Sequence, residues 1–275
     1  MESTNSSAIA GYWHRDGLVE TVLAALAGAG KDPGRLSIDD LAEVDQFHGG
    51  GRSATLRLAE LAGLDRPAAR PRRVLDVGGG LGGPARTLAH RYGCEVVSID
   101  LTESYIEVAR RLTELVGIGE RVIHQVGDAL DLRFDDGSFD LVWTQNSGMN
   151  IADKAALYRG FRRVLRPGGR LAFQEPTAGT ISPPHYPLMW ASDASSSFLR
   201  TQAELRASII DAGFRLAVWH EVTETSTSGS SAPPPDHAVQ VLVMGREHLA
   251  RIRAAQRRNV AEGRIGVVQA VFVRP

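Results

Sequence analysis

Apolar positions change their rhythm twice along this chain. From Gly17 to Ala29, the residues Leu18, Val22, Leu23, Leu26 and Ala27 recur at helical spacing, and Gly28 and Gly30 supply the stop. Residues 37–47 open with a serine ahead of SIDDLAEV and predict a second, short helix. After His48 and the glycines 49–51, RSATLRLAELAGL returns to helical spacing. Beyond Pro71, short apolar runs alternate with longer amphipathic segments. VLDVG (74–78), EVVSID (95–100), RVIHQVGD (121–128), FDLVWTQ (139–145) and RLAFQE (170–175) predict buried strands, separated by helical patterns such as PARTLAHRY, YIEVARRLTELVG and AALYRGFRRVL. Such alternation predicts a parallel sheet with helices on both faces. Towards the end, FRLAVWHEVT (214–223) and GVVQAVFVRP (266–275) predict two more strands, a closing antiparallel pair, with one long helix over 238–262 between them. Residues 177–200 and Thr225–Asp236, rich in Ser and Pro, predict two irregular inserts.

Composition narrows the function classes. The 275 residues, 43% of them hydrophobic, suit one globular domain with a modest elaboration. The formal net charge is −1 and the basic residues are spread along the chain, which argues against a nucleic-acid partner. A single cysteine, Cys94, excludes an intramolecular disulfide and a thiolate metal cluster, and its setting in CEVVSID predicts a small core residue. No HExxH or clustered metal-ligand spacing occurs. The opening MESTNSSAIAG lacks a basic patch followed by an apolar run, and no window approaches the roughly 18 to 20 apolar residues that cross a bilayer. The expectation is a cytoplasmic protein without membrane contact, with a homo-oligomer left open.

The informative segment is VLDVGGGLGG, a strand that runs into glycines 78, 79, 80, 82 and 83 and then into a helix. It predicts a floor without side chains, on which a polar ligand can lie against the backbone. Asp100 ends the next strand, where a carboxylate can accept from both hydroxyls of a ribose, and a third acid, Asp128, ends the third. Gly78, Gly80 and Gly83 also satisfy G-x-G-x-x-G, so a nicotinamide or flavin dinucleotide is a legitimate reading. The downstream segments favour S-adenosylmethionine (SAM) instead: Gly-Asp-Ala at the end of the third strand, the turn FDDGSFDLVWTQ, and the helix stop in RVLRPGGRLAF.

The ordered set LDVGGGLGG, SIDLTESYIEVA, GDALDLRFDDGSFDLVW and RVLRPGGRLAF resembles the class I SAM-dependent methyltransferases over about residues 70 to 175. Within that class, the stretch DLVWTQNSGMNIADKAALYRGFRRVLRPGGRLAFQEP is similar to the sarcosine and dimethylglycine N-methyltransferases and their small-molecule relatives. The resemblance implies an α/β fold: a Rossmann-like, seven-stranded, mostly parallel sheet with an antiparallel last strand, helices on both faces, and N-terminal helices and the two inserts as a lid. Residues 1–70 would be a helical cap, 71–176 the SAM-binding core, and 177–275 the lid insert, last two strands and their helix. It further implies that Gly78 and Gly80 pass under the methionine part of SAM and that Asp76 orients its ammonium group. Asp100 would take the ribose, Leu101 pack on the adenine, Asp128 and Ala129 bind the adenine edge, and Gln145 close the floor near the methionine end.

The acceptor side is read from fewer signals. Glu175 closes the fifth strand at the carboxyl edge of the sheet and is the first candidate for an acceptor-facing carboxylate; His48, beside three glycines, is the second and a candidate base. Asn150 stands where the N-methyltransferases tend to carry histidine, which puts an amine substrate in doubt. Tyr12, Trp13, His185, Tyr186 and Trp190 are expected to form an aromatic lid, and the arginines at 246, 251, 253, 257 and 258 to make a solvated face. The implied function is methyl transfer to a small metabolite or natural product, with nitrogen slightly ahead of carbon or oxygen. The alternatives are a non-methylating reaction such as cyclisation in the same fold, and a SAM-binding regulatory module.

Overall fold

The computed structural model describes residues 10–66, 72–223 and 234–275. The opening residues 1–9, the expected boundary at 70/71 and most of the second insert therefore lie outside the described residues. Seven strands form one sheet: β1 Arg73–Val77, β2 Glu95–Asp100, β3 Val122–Val126, β4 Phe139–Gln145, β5 Leu165–Ala178, β6 Arg215–Glu221 and β7 Ile265–Val273. The helices are α1 Leu18–Gly28, α2 Ala42–Asp45, α3 Gly51–Leu61, α4 Gly83–Tyr92, α5 Glu103–Leu115, α6 Lys154–Val164, α7 Gln202–Asp211, α8 Val239–Met244 and α9 Arg246–Ala261.

The strands are ordered β3-β2-β1-β4-β5-β7-β6. Strands β1 to β5 pair in parallel, and β7 runs antiparallel to both β5 and β6, as the segment pattern predicts. Successive side chains on a strand point to opposite faces. On β1, Leu75 and Val77 enter a core with Leu157 and Phe161 of α6 and Leu205 and Ile209 of α7. Val74 enters the opposite core, with Leu58 of α3 and Leu88 of α4. Cys94 lies in that second core, as expected for a small residue.

Three local expectations change. The helix expected over 238–262 is two helices, because Gly245 adopts a φ of +73° between α8 and α9. Residues 37–47 form a 3-10 turn, Asp39–Leu41, running into the single turn of α2; Ser37 Oγ donates to Asp40 Oδ2 at 2.6 Å and holds its start. Strand β5 begins at Leu165, directly after α6, because the end of β7 reaches across the Pro-Gly-Gly stretch: the Gly168 N–H donates to Arg274 O at 2.8 Å and the Arg274 N–H to Gly169 O at 2.8 Å.

The chain leaves β1 towards β2 and β3 on one side, then returns to β4 on the other. Connections from β1 and β4 diverge, which opens a crevice beyond their carboxyl ends.

Candidate active site

The crevice floor is the glycine turn after β1. The N–H groups of Gly78 and Gly79 donate to Ile99 O at 2.9 and 3.0 Å, which ties the turn to β2. Gly78 (φ +71°) packs on the loop after β4, where a Cβ would overlap Ser147; a Cβ on Gly79 would overlap Ser98 Oγ. Gly80 (φ +54°) differs, since a Cβ there meets no protein atom within 4 Å and enters the open crevice. The Gly80 N–H donates to Asp100 Oδ2 at 2.9 Å, while the Thr102 N–H donates to Asp100 Oδ1 at 2.9 Å. The turn and the acid at the end of β2 are thus one wall.

A cavity of about 870 Å³ extends from this wall, and Asp76, Gly78, Gly80, Asp100, Leu101, Asp128, Ala129 and Gln145 all line it. Asp76 is buried, and its burial pushes the carboxyl up to about 7 against the opposing hydrogen bond from Ser98, with Asp100 adding to the rise. Asp128 accepts the Leu130 N–H at 2.8 Å, which turns the chain across the end of β3. Tyr105 also lines the cavity, and its buried hydroxyl has no partner among the described residues. Sequence reasoning missed it, although its place in the first turn of the helix after Asp100 set it at the rim.

Gln145 is oriented from behind. An indole N–H can only donate, so the buried Trp143 Nε1 fixes Gln145 Oε1 at 3.0 Å and turns the amide nitrogen towards His48 Nδ1 at 3.4 Å. Thr55 Oγ1 donates to the same Oε1 at 3.0 Å, and the His48 Nε2–H donates to Gln46 Oε1 at 3.1 Å. Burial, with repulsion from Arg57 assisting, pulls His48 down to about 4, although the Gly49 carbonyl beside Nδ1 favours the protonated ring. His48 lines the cavity as a neutral imidazole.

Glu175 is elsewhere. It does not border the cavity; its carboxylate accepts the N–H groups of Ser147, Gly148 and Met149 at 3.2, 2.7 and 3.1 Å. The expectation of an acceptor-facing carboxylate is corrected: Gln174, its neighbour on the opposite face of β5, borders the cavity instead. The Asn150 amide donates to Trp190 O at 3.0 Å and Ser196 O at 2.7 Å, so this residue braces the insert. Of the expected aromatic lid, Trp13 and Trp190 border the cavity, but His185 is drawn away by Glu262, with 2.8 Å between Nε2 and Oε2. The arginine run is mostly solvated, with Arg246 and Arg258 paired to Asp236 and Glu262; Arg253 departs by bordering the cavity.

Residues 75–173 match the model of a methyltransferase domain. Over that stretch the chain is similar to the class I SAM-dependent methyltransferases. The chain is 40% identical over 117 residues to a sarcosine/dimethylglycine N-methyltransferase of Halorhodospira halochloris, an alignment that covers 42% of each protein. It spans less than half the length of that curated relative. The likeness of fold reaches beyond that stretch: a geranyl diphosphate C-methyltransferase from Streptomyces coelicolor A3(2) superposes with a TM-score of 0.72 at 18% identity, covering 98% of each chain. The [4+2]-cyclase SpnF superposes with a TM-score of 0.66 at 23% identity, covering 94% of this chain and 93% of that one.

Proposed function

We propose that this protein transfers the methyl group of SAM to a small organic acceptor. The observation that carries the reading is that the glycine turn, Asp100, Asp128 and Gln145 line one cavity, which His48 and the apolar residues Met149, Leu188, Trp190, Ile265 and Val267 also border. The residues present fit the cofactor: Gly80 leaves space that a side chain would fill, and Tyr105 and Asp100 retain hydrogen-bonding capacity there. Gly78, Gly80 and Asp76 would hold its methionine end, Asp100 its ribose, Leu101, Asp128 and Ala129 its adenine, and Gln145 the floor beside the methionine.

When bound, SAM supplies an electrophilic methyl group on a sulfonium. The protein's task is to hold an acceptor in line with that carbon, and such positioning is worth on the order of 7 to 11 kcal/mol in favourable cases. Met149, Leu188, Trp190, Ile265 and Val267 border the cavity and would give the acceptor an apolar bed. His48 is a weak base, yet a hydroxyl becomes strongly acidic as it gains a methyl, so a neutral imidazole can receive its proton.

The bed bears on which atom is methylated. A cationic amine calls for a carboxylate sheltered from water, but Asp45 is paired with Arg86 at 3.0 Å and Asp153, at the start of α6, is exposed. These assignments favour oxygen or carbon over nitrogen, reversing the slight preference that the sequence suggests.

Incubation with methyl-labelled SAM and a pooled metabolite extract tests the reading. The expected result is a labelled product heavier than its precursor by one methyl. SAM binding without label in any product would favour the second reading, a rearrangement such as cyclisation, for which the likeness to SpnF and the apolar residues along the cavity speak.

A further inference from the structure

We infer that Arg57 receives an anionic group of the acceptor, so the acceptor class is an apolar molecule bearing an acidic group such as a carboxylate, sulfonate or phosphate. The inference rests on the methyl-transfer reading for the word acceptor, and on the following geometry for the rest.

Arg57 lies on α3 and borders the cavity. Its Nε and Nη2 are shielded from solvent and have no hydrogen-bond partner among the described residues. Holding two guanidinium nitrogens away from water without a hydrogen-bond partner is costly. Arg86 shows how this chain settles a buried arginine: its nitrogens donate to Asp45 Oδ2 at 3.0 Å, Leu81 O at 2.5 Å, Ala109 O at 3.1 Å and Thr113 Oγ1 at 3.1 Å. Arg57 has no comparable set, and among the described residues its Nε and Nη2 make no hydrogen bond at all. A counter-ion would therefore arrive with a ligand.

Arg57 stands on α3 two residues beyond Thr55, whose hydroxyl lies 3.0 Å from His48 Nε2, so its helix supports the His48 side of the cavity, where the proposed acceptor would lie. Planar guanidinium forks suit carboxylate, sulfonate and phosphate oxygens.

Protein saturated with S-adenosylhomocysteine is titrated with two fluorescent probes that share their aromatic rings, 8-anilinonaphthalene-1-sulfonate, which is anionic, and N-phenyl-1-naphthylamine, which is neutral. Wild-type protein is expected to bind both. Arg57→Met should weaken the sulfonate at least about tenfold while leaving the neutral probe and S-adenosylhomocysteine within about twofold, and Arg57→Lys should recover most of the loss. Equal effects on both probes, or no effect on either, overturn the inference, as does failure of the sulfonate to bind wild type. If instead Arg57→Met weakens S-adenosylhomocysteine but not methylthioadenosine, which lacks the amino-acid part, the guanidinium serves the cofactor's carboxylate; the inference then fails while the methyltransferase reading stands. Absence of S-adenosylhomocysteine binding to wild type would remove that reading itself.

Discussion

Glu175 and Lys154 grip opposite sides of one loop. The carboxylate accepts three successive amides, those of Ser147, Gly148 and Met149, while Lys154 Nζ donates to Gly148 O at 2.6 Å and Ile151 O at 2.7 Å. Both residues are buried, and burial raises the glutamate and pulls the lysine down to about 8, so each charge relies on the other and on the loop between them. That loop carries Asn146, Ser147 and Met149 to the cavity wall.

Replacing Glu175 by Gln should therefore cost stability first. The amide keeps one acceptor oxygen but sets a second donor against backbone N–H groups, and it leaves Lys154 without its counter-charge. Losing one partner of a buried pair costs about 3 kcal/mol, which should lower the thermal midpoint by roughly 5 to 10 °C. Differential scanning calorimetry measures this; an unchanged midpoint with abolished turnover would return Glu175 to the chemistry.

Asp100→Ala should separate the cofactor half from the rest. If each ribose hydroxyl bond to the carboxylate is worth about 1.5 kcal/mol or more, the dissociation constant of S-adenosylhomocysteine rises roughly a hundredfold. The Gly80 N–H loses its acceptor as well. Titration calorimetry reads the change, and an unaltered constant would eliminate the ribose assignment.

Asp76 makes cofactor binding depend on pH. In the unfolded chain an aspartate titrates near 3.9, but burial holds the folded group up to about 7. Between these values the folded state binds a proton that the unfolded chain has released, so the stability tied to Asp76 is present below about 4 and is lost as the pH climbs to about 7. A cofactor ammonium reverses the preference by favouring the carboxylate. S-adenosylhomocysteine should therefore bind more tightly as the pH rises through about 7. The slope should vanish in Asp76→Asn; a slope that persists there would assign the proton to another group.

The crevice was legible from the sequence because both its walls follow from strand endings: Gly78 comes directly after β1, and Asp100 closes β2. Glu175 was placed at the correct height in the sheet and on the wrong face, since adjacent strand residues alternate and height does not say whether Gln174 or Glu175 meets the ligand. Arg57 gave no signal of its own, and Trp143 gave one only through the resemblance, as the Trp of a Trp-x-Gln segment with Gln145. Arg57 matters through the lack of a hydrogen-bond partner among the described residues and Trp143 through the direction of its indole N–H, neither of which periodicity reports. Gly245 was visible as a glycine, but a helical pattern continues on both sides of it, and only its φ shows the break.

Asn150 offers the sharpest test of the insert as a wall of the site. Its side-chain nitrogen supplies both hydrogens to carbonyls of the insert, Trp190 O and Ser196 O, and Trp190 in turn borders the cavity. Asn150→Ala removes two donors and should cost about 2 kcal/mol locally. Asn150→Asp should be worse, because it faces carbonyl oxygens with a carboxylate. Hydrogen exchange of the amides over 186–198 should accelerate in the order wild type, Ala, Asp, with the glycine turn at 78–80 unaffected. Equal exchange in all three would mean that the apolar contacts of Leu188 and Trp190 with Met149 hold the insert by themselves, and that the asparagine is replaceable.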